Sequence, residues 1–276
     1  MRKSPLLALL LLVPVAAIAA SPECKHSQPR NLTLDVAGAK AVVFEIGAND
    51  IAIDARAGAA AGVTGKACAS SDKYLEQLKL TQRKVGDKVY VTASREGVSS
   101  GVFLGSNYAY LKLNATVPDN VMVQLKVGSG DAVVSGASAL SADVNSGDIE
   151  ARRIRGLVVA DVGSGDIVLD DIGSLQVISV GSGDLSATKT RGAAKIGSVG
   201  SGDLELDGVG GNVEIGSIGS GDARVSGVKG SVTVASVASG DLEVEDVGGD
   251  LSVGSKSSGS VSHHRVSGRV DVPSDN

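Results

Sequence analysis

An aspartate recurs along the second half of the sequence, each time directly after Ser-Gly. The seven copies are Asp131, Asp148, Asp166, Asp184, Asp203, Asp222 and Asp241. Successive copies are 17, 18, 18, 19, 19 and 19 residues apart, and a degenerate copy, Ser258-Gly259-Ser260, follows after another 19. Repetition of this regularity indicates a stacked array of equivalent units. We therefore expect the seven carboxylates to form one column along the array.

Two roles are open to such a column. In turns, aspartate carboxylates accept hydrogen bonds from backbone N–H groups or Ser hydroxyls. Such bonds would offset the repulsion between stacked carboxylates, which is about 0.9 kcal/mol for unit charges about 4.8 Å apart in water. Bound calcium is the alternative, because its ligands are carboxylate and carbonyl oxygens. The aspartate directly follows glycine here, unlike in the calcium-binding solenoid nonapeptide G-G-x-G-x-D. We therefore favour the turn-stabilising role and expect no cofactor.

The sequence offers no set of residues that would support catalysis. A glycan-cleaving enzyme needs paired carboxylates and an acid/base partner in a cleft, whereas these aspartates repeat as turn residues do. All six aromatic residues precede residue 124, so the repeats provide no platform for a sugar ring. His263 and His264 are adjacent, and on a strand they would point to opposite faces rather than bind one metal ion. A polysaccharide-active solenoid enzyme is the less favoured alternative.

The N-terminus and the two cysteines indicate export. Residues 1–20 combine Arg2 and Lys3 with an apolar run of 15 residues from Leu6 to Ala20. This run is shorter than the roughly 20 residues that a membrane span needs, and it is typical of a cleaved signal peptide. Cys24 and Cys68 are the only cysteines, and in an oxidising compartment an isolated pair is most simply a disulfide. We expect a periplasmic, cell-surface or secreted protein without a membrane span after cleavage.

The two halves of the chain differ in charge. Residues 1–123 carry 14 basic and 10 acidic side chains, whereas residues 124–276 carry 12 basic and 21 acidic ones. An acidic surface argues against nucleic acid and anionic membranes as partners. Cations and basic partners remain compatible with this charge.

Apolar residues within each repeat have a period of two, which indicates strands. They follow the aspartate by one and three residues, as Leu204 and Leu206 follow Asp203, and a single apolar residue follows by six, as Val209 does. If each repeat forms one coil, equivalent residues stack into ladders around a narrow interior that suits small aliphatic side chains. The sequence therefore predicts an all-β fold: a parallel β-solenoid of about eight coils of 17–19 residues, right-handed by default. The charged residues, the histidines and Pro273 of the last coil would keep its exposed sheet edge from pairing with another chain.

Residues 21–123 are predicted to form a small β domain between the signal peptide at 1–20 and the solenoid at 124–273. The β-prone runs 78–81 and 89–92 flank Gly86-Asp87, which predicts a hairpin. The alternation of Leu78 and Leu80 favours a strand over a helix across 74–80, and the Ala/Gly-rich stretch 57–65 predicts a loop. This domain would cover the N-terminal end of the solenoid.

The entry into the array, Val121-Met-Val-Gln-Leu-Lys-Val-Gly-Ser-Gly-Asp131, and the Ser-Gly-Asp copies after it resemble the putative adhesin family of secreted bacterial β-solenoid proteins. The resemblance covers most of residues 40–270, including the hairpin around Gly86-Asp87. It implies a β-solenoid fold and no defined catalytic residues. Together with composition, it suggests a non-enzymatic adhesin or interaction scaffold that binds a protein or glycan at the cell envelope. A periplasmic structural or stress-related binding module is the alternative.

Overall fold

The computed structural model describes residues 24–97 and 107–274, so the predicted signal peptide at 1–20 and Phe103 lie outside the described residues. The strands before residue 120 are β1 (His26–Pro29), β2 (Leu32–Thr33), β3 (Ala41–Gly47), β4 (Asp50–Arg56), β5 (Gly62–Ala69), β6 (Leu78–Val85), β7 (Lys88–Arg95) and β8 (Ala109–Pro118). One short helix, α1 (Asp72–Gln77), precedes β6.

The remaining strands make up the repeats. They are β9 (Met122–Val127), β10 (Ala132–Ser135), β11 (Leu140–Val144), β12 (Ile149–Val162), β13 (Ile167–Val180), β14 (Leu185–Thr190), β15 (Ala194–Val199), β16 (Leu204–Val209), β17 (Val213–Ile218), β18 (Ala223–Val228), β19 (Val232–Val237), β20 (Leu242–Val247), β21 (Leu251–Lys256), β22 (Val261–Val266) and β23 (Val270–Asp271). The predicted parallel β-solenoid of about eight coils is confirmed, since equivalent strands of successive coils pair in parallel.

Each coil contributes one strand to each of two parallel stacks. The first stack contains the strands that follow the aspartates, such as β14, β16, β18, β20 and β22. The second stack contains the strands that precede them, such as β15, β17, β19, β21 and β23. β12 and β13 pass through the bend and belong to both stacks. The alternating side chains of both stacks point inward and form one continuous aliphatic core.

Two single-residue insertions explain the unequal repeat lengths. In the 17-residue coil that starts at Asp131, two residues separate the buried bend residue Ala137 from the buried Leu140. The next coil has three residues between Ile154 and Val158, and the register shifts there. The third coil instead has an extra residue within its second strand, between the buried Val177 and Val180. Coils of 19 residues carry both insertions, as Thr190 to Val199 shows.

The parallel stacks continue into the region before residue 121. β3 lies between β9 and β7 in the second stack, and β4 lies between β10 and β8 in the first. The two coils made by β3–β4 and β7–β8 thus stack on the repeats, although the chain visits them out of spatial order. Apolar residues of these coils belong to the same core as the repeats. A domain boundary near residue 124 stays a prediction, and the sheet is continuous across it.

Antiparallel strands cover the N-terminal end of the solenoid. β6 pairs with β7 in the predicted hairpin, with Gly86 at φ +59° in the turn. β5 pairs with β8, and β1 and β2 pair in turn with β5. The expected loop at 57–65 is wrong in its second part, because β5 already begins at Gly62. Its Gly65 passes close to β8, where a Cβ atom would lie 2.1 Å from the Lys112 carbonyl oxygen.

The strand expected across 74–80 is also wrong in part, because α1 occupies its first half. The Ser71 side chain accepts a hydrogen bond from the Tyr74 N–H, and Asp72 lies in the first turn, where a negative charge is favourable. The alternation of Leu78 and Leu80 does belong to a strand, β6, which follows at once. The predicted disulfide between Cys24 and Cys68 is confirmed, and it joins the start of the described chain to β5.

Candidate functional site

The turn before each aspartate brings backbones into direct contact. The middle glycines of successive copies are buried and stack on one another. A Cβ atom on Gly202 would lie 1.8 Å from the Gly183 carbonyl oxygen, and one on Gly221 would lie 1.8 Å from that of Gly202. Every other residue type is therefore too large here. The glycine column explains why the repeat is so strict at this position.

The aspartates form a hydrogen-bonded ladder along one edge of the solenoid. Oδ1 of Asp203 accepts a hydrogen bond from the Asp222 N–H at 3.0 Å, while the Leu204 N–H donates to the Asp222 carbonyl oxygen at 2.9 Å. The same carboxylate-to-N–H bond links each aspartate from Asp131 to Asp241 to the next coil, at 2.8–3.3 Å. The expected turn-stabilising role is thus observed as a bond from each coil to the following one.

Sequence reasoning missed the first rung of this ladder. Oδ1 of Asp50 accepts from the Asp131 N–H at 3.4 Å. Asp50 is followed by Ile51-Ala-Ile53, which is the same Asp-Φ-x-Φ pattern (Φ, apolar) as in the repeats, and this pattern could have identified it. Asn49 stands where the repeats have glycine; its amide donates to the Ile46 carbonyl oxygen and accepts from the Leu111 N–H, both at 2.7 Å. This buried side chain therefore links the β3–β4 coil to β8.

A second, shorter ladder runs along the opposite turn, and the sequence did not reveal it. Asn212 Oδ1 accepts from the Ser231 N–H at 3.0 Å, and Ser231 Oγ accepts from the Asp250 N–H at 3.0 Å. Asp250 Oδ1 accepts from the Arg269 N–H at 2.7 Å. Because three residue types fill equivalent positions, no repeated letter marks this ladder in the sequence.

A shallow acidic groove runs beside the C-terminal half of the aspartate ladder. Its volume is about 660 Å³, and it crosses five coils of the first stack, from Asp184 to Ser262. Its charged lining residues are Asp184, Asp203, Asp222, Asp241, Glu205, Glu243 and Arg224. The four ladder aspartates use Oδ1 for the N–H of the next coil, and among the described residues Oδ2 has no partner. Arg224 forms an ion pair with Glu243, so the groove is left with a net negative charge.

The last aspartate of the ladder has the most complete set of donors. Asp241 Oδ1 accepts from both the Ser260 hydroxyl at 2.8 Å and the Ser260 N–H at 2.9 Å. The hydroxyl bond, followed by the backbone bond, lowers the pKa of the Asp241 carboxyl from its usual value. The carboxylate form is thereby stabilised at the edge of the groove.

Within residues 24–97 and 107–274, no group of three or more His, Cys, Asp or Glu side chains is arranged to hold a metal ion. Calcium binding by the aspartate column therefore stays a hypothesis without a preformed site. His263 stacks on the buried Val244, whereas His264 stacks on Glu245 on the outer face. The two histidines thus point to opposite sides of β22. None of the helices in this part of the chain is long and apolar enough to cross a membrane.

Solved structures share this architecture at low sequence identity. A putative adhesin from Parabacteroides distasonis is 14% identical, with a TM-score of 0.54, and the match covers 87% of this chain and 97% of that one. A putative lipid binding protein from the same species is 17% identical, with a TM-score of 0.54 over 89% and 97% of the two chains. A putative adhesin from Parabacteroides merdae is 11% identical, with a TM-score of 0.53 over 87% and 97%.

At this level of identity the likeness concerns the fold. The sequence matches no protein-family model. No curated protein matches it either. The chain therefore has the β-solenoid fold found in proteins described as putative adhesins, and its functional assignment depends on its own surface.

Proposed function

We propose that this chain is an exported, non-enzymatic member of the putative adhesin family that presents the acidic groove to a basic protein or glycan-associated partner at the bacterial cell envelope. The observation that carries the proposal is the groove itself. Its four ladder aspartates are held at coil spacing by hydrogen bonds to the backbone of the next coil, and each keeps Oδ2 unengaged among the described residues. A rigid array of this kind favours an extended cationic partner, because complementary potentials steer and orient association.

Two further observations support export and a binding role. The Cys24–Cys68 disulfide is compatible with an oxidising compartment. The carboxylates of the ladder all make the same structural bond, and none is set apart with an acid/base partner as a catalytic carboxylate would be. The names of the similar structures favour adhesion over catalysis.

The groove is tested by reversing one charge that has no part in the ladder. Glu205 is exposed in the groove, and Glu214 is exposed on the outer face of the second stack, where it lies 3.8 Å from Lys195. We expect Glu205→Lys to weaken retention of the purified protein on cell envelopes by about tenfold, because it breaks charge complementarity, whereas Glu214→Lys leaves retention within about twofold. Equal effects of the two substitutions would refute the groove as the binding surface.

The compartment is tested on intact cells that express the chain. Added protease should cleave the protein if it lies at the cell surface, whereas a periplasmic scaffold should be protected until the outer membrane is opened. Cell fractionation with a known periplasmic marker provides the control. Cleavage of any member of a glycan panel by the pure protein would contradict the non-enzymatic assignment.

A further inference from the structure

The C-terminal end of the solenoid is an open cross-section of the core. β22 pairs with β20 and β23 pairs with β21, and no described strand pairs with their outer edges. Val261 and Val266 are only half-buried, and Val270 is 39% exposed, whereas Leu242, Val247 and Leu251 in the preceding coil are at most 1% exposed. An additional strand would bury these valines and pair the free backbone edge.

The last coil donates its Ser260 and Arg269 N–H groups to carboxylates of the coil before it, but it presents different side chains outward. In the first ladder Ser260 replaces aspartate, and its hydroxyl hydrogen is used by Asp241. In the second ladder Arg269 follows Asp250, and a guanidinium group has no acceptor atom. Carboxylates equivalent to Asp241 and Asp250 of the preceding coil are therefore absent at both turns.

The rim of this end is basic, in contrast to the acidic coils before it. Among the described residues from 256 to 274, the basic ones are Lys256, His263, His264, Arg265 and Arg269, and Asp271 is the acidic one. Arg265 is engaged by Asp246 and Glu245 of the preceding coil. The opposite end of the solenoid finishes with β6, which carries Lys79, Arg83 and Lys84. Like charges at both ends disfavour end-to-end stacking of two copies.

We propose that the C-terminal end face binds an extended acidic polypeptide segment of a partner protein, which adds a strand to β22. Main-chain hydrogen bonds to the free edge and burial of the half-exposed valines would provide affinity, as in other cases of strand addition. Carboxylates of the segment would accept hydrogen bonds from the guanidinium of Arg269, which has only N–H donors. The site uses the free strand edge of β22, whereas the acidic groove lies on the outer face of the first stack and reaches this coil only at Ser260 and Ser262.

The experiment uses the full mature chain and two blocked eight-residue peptides, one alternating Val and Glu and the other alternating Val and the neutral Gln. Calorimetric titration should show that the Glu peptide binds at least about tenfold more tightly than the Gln peptide. Hydrogen exchange should show new amide protection within residues 261–266. Equal binding of the two peptides, protection elsewhere, or no binding at millimolar peptide would overturn the proposal.

Matched variants locate the interaction. Arg269→Glu keeps the backbone N–H that bonds to Asp250, so the coil should stay folded while Glu-peptide affinity falls by about tenfold. Lys126→Glu makes the same charge change on the exposed outer face of the second stack and should leave affinity within about twofold. An equal loss in both variants would indicate a non-specific charge effect and would refute the end-face site. Because the peptides probe a surface remote from Glu205, this result is independent of the groove test.

Discussion

Thr190 is the one polar residue in the bend column of the core, where Ile154, Ile172 and Val209 occupy equivalent positions. It is 1% exposed, and its Oγ1 has no hydrogen-bond partner. A buried hydroxyl without a partner loses its hydration without compensation.

We expect Thr190→Val to raise the free energy of unfolding by about 1 kcal/mol, because it removes this orphaned hydroxyl and keeps the branched shape. Denaturant titration followed by circular dichroism measures the change. Thr188→Val is the matched control, because the Thr188 hydroxyl donates to Asp170 Oδ1 at 2.9 Å, and this variant should lose stability. Stabilisation of both variants would contradict the explanation.

A left-handed residue occurs five positions after the ladder residue in each coil. Glycine fills this position at Gly136, Gly208 and Gly227, but Arg153 (φ +54°), Asp171, Lys189, Asp246 and Arg265 adopt the same conformation. The conformation is costly for residues with a Cβ atom. Asp171, Lys189, Asp246 and Arg265 also form ion pairs at this edge.

Arg153 has no ion pair among the described residues. Its substitution therefore measures the free-energy cost of the left-handed backbone conformation without the loss of an ion pair. We expect Arg153→Gly to stabilise the fold by up to about 1 kcal/mol. We expect Gly208→Ala, where φ is +76° and a Cβ atom would come no closer than 3.7 Å to its neighbours, to destabilise it by about 1 kcal/mol. Thermal melting of the two variants tests the pair. Changes of the same sign would argue against strain at this column.

At the scale of the element, the Ser-Gly-Asp turn is constrained mainly by its glycine. We expect Gly202→Ala to cost about 3 kcal/mol, because the new methyl group would meet a backbone oxygen that neighbouring coils hold in place. Gly58→Ala is the control: Gly58 has φ +66°, and no atom lies within 4 Å of where its Cβ atom would be, so a loss of about 1 kcal/mol is expected there. Similar losses of unfolding free energy in the two variants would show that the stacking of glycines in successive coils adds no cost to an alanine there.

The ladders also make the fold sensitive to acid. Hydrogen bonds from Ser260 to Asp241, from Lys189 to Asp170 and from Arg265 to Asp246 each lower the pKa of the carboxyl in the folded state. Their stabilisation is therefore complete above the unfolded pKa of about 3.9 and is lost as the pH falls below it, through the folded values. The melting temperature should be flat from pH 7 to 5 and should fall steeply below pH 4.

Asp241→Asn provides the control for this acid transition. An asparagine can still accept the two bonds from Ser260, as Asn212 does from Ser231, but it does not titrate. The melting temperature of the variant should depend less on pH below 4 than that of the wild-type protein. An unchanged acid profile would show that Asp241 does not contribute to it.

The sequence was sufficient for the elements whose signal is repeated. The Ser-Gly-Asp period and the alternating aliphatic residues predicted the coils, the strands and the aspartate column, because the same physical constraint recurs in every coil. The roles of Asp50 and Asn49 were not predicted, because the β3–β4 coil lies next to β9–β10 in space but not in sequence. The second ladder escaped because Asn212, Ser231 and Asp250 perform one role with three different side chains. The groove depends on which outward residues become neighbours across five coils, and no single repeat contains that information.

For the whole molecule, stability is transmitted from coil to coil, since each strand of the repeats pairs only with its neighbours above and below. Such an array behaves as a one-dimensional system in which a local defect affects nearby units most. The disulfide lies at one end of this array and closes a loop with a sequence separation of 44 residues.

We expect the double variant Cys24→Ser, Cys68→Ser to lose about 4 kcal/mol from the N-terminal covering strands by the chain-entropy estimate. Hydrogen exchange should show faster opening of β1 and β5, with little change in β18–β21. The single variant Cys24→Ser should behave in the same way. Uniform loss of protection along the whole chain would instead indicate that the array unfolds as one cooperative unit.

The aspartate carboxylate of each coil accepts a hydrogen bond from a backbone N–H group of the next coil. Every internal coil therefore supplies one acceptor to the coil after it and has one N–H group satisfied by the coil before it. Duplication or deletion of a whole 19-residue unit would leave this exchange intact and would change the height of the molecule by about 4.8 Å. Gain or loss of whole coils during evolution could thus lengthen or shorten the solenoid in uniform steps, with the two end coils unchanged.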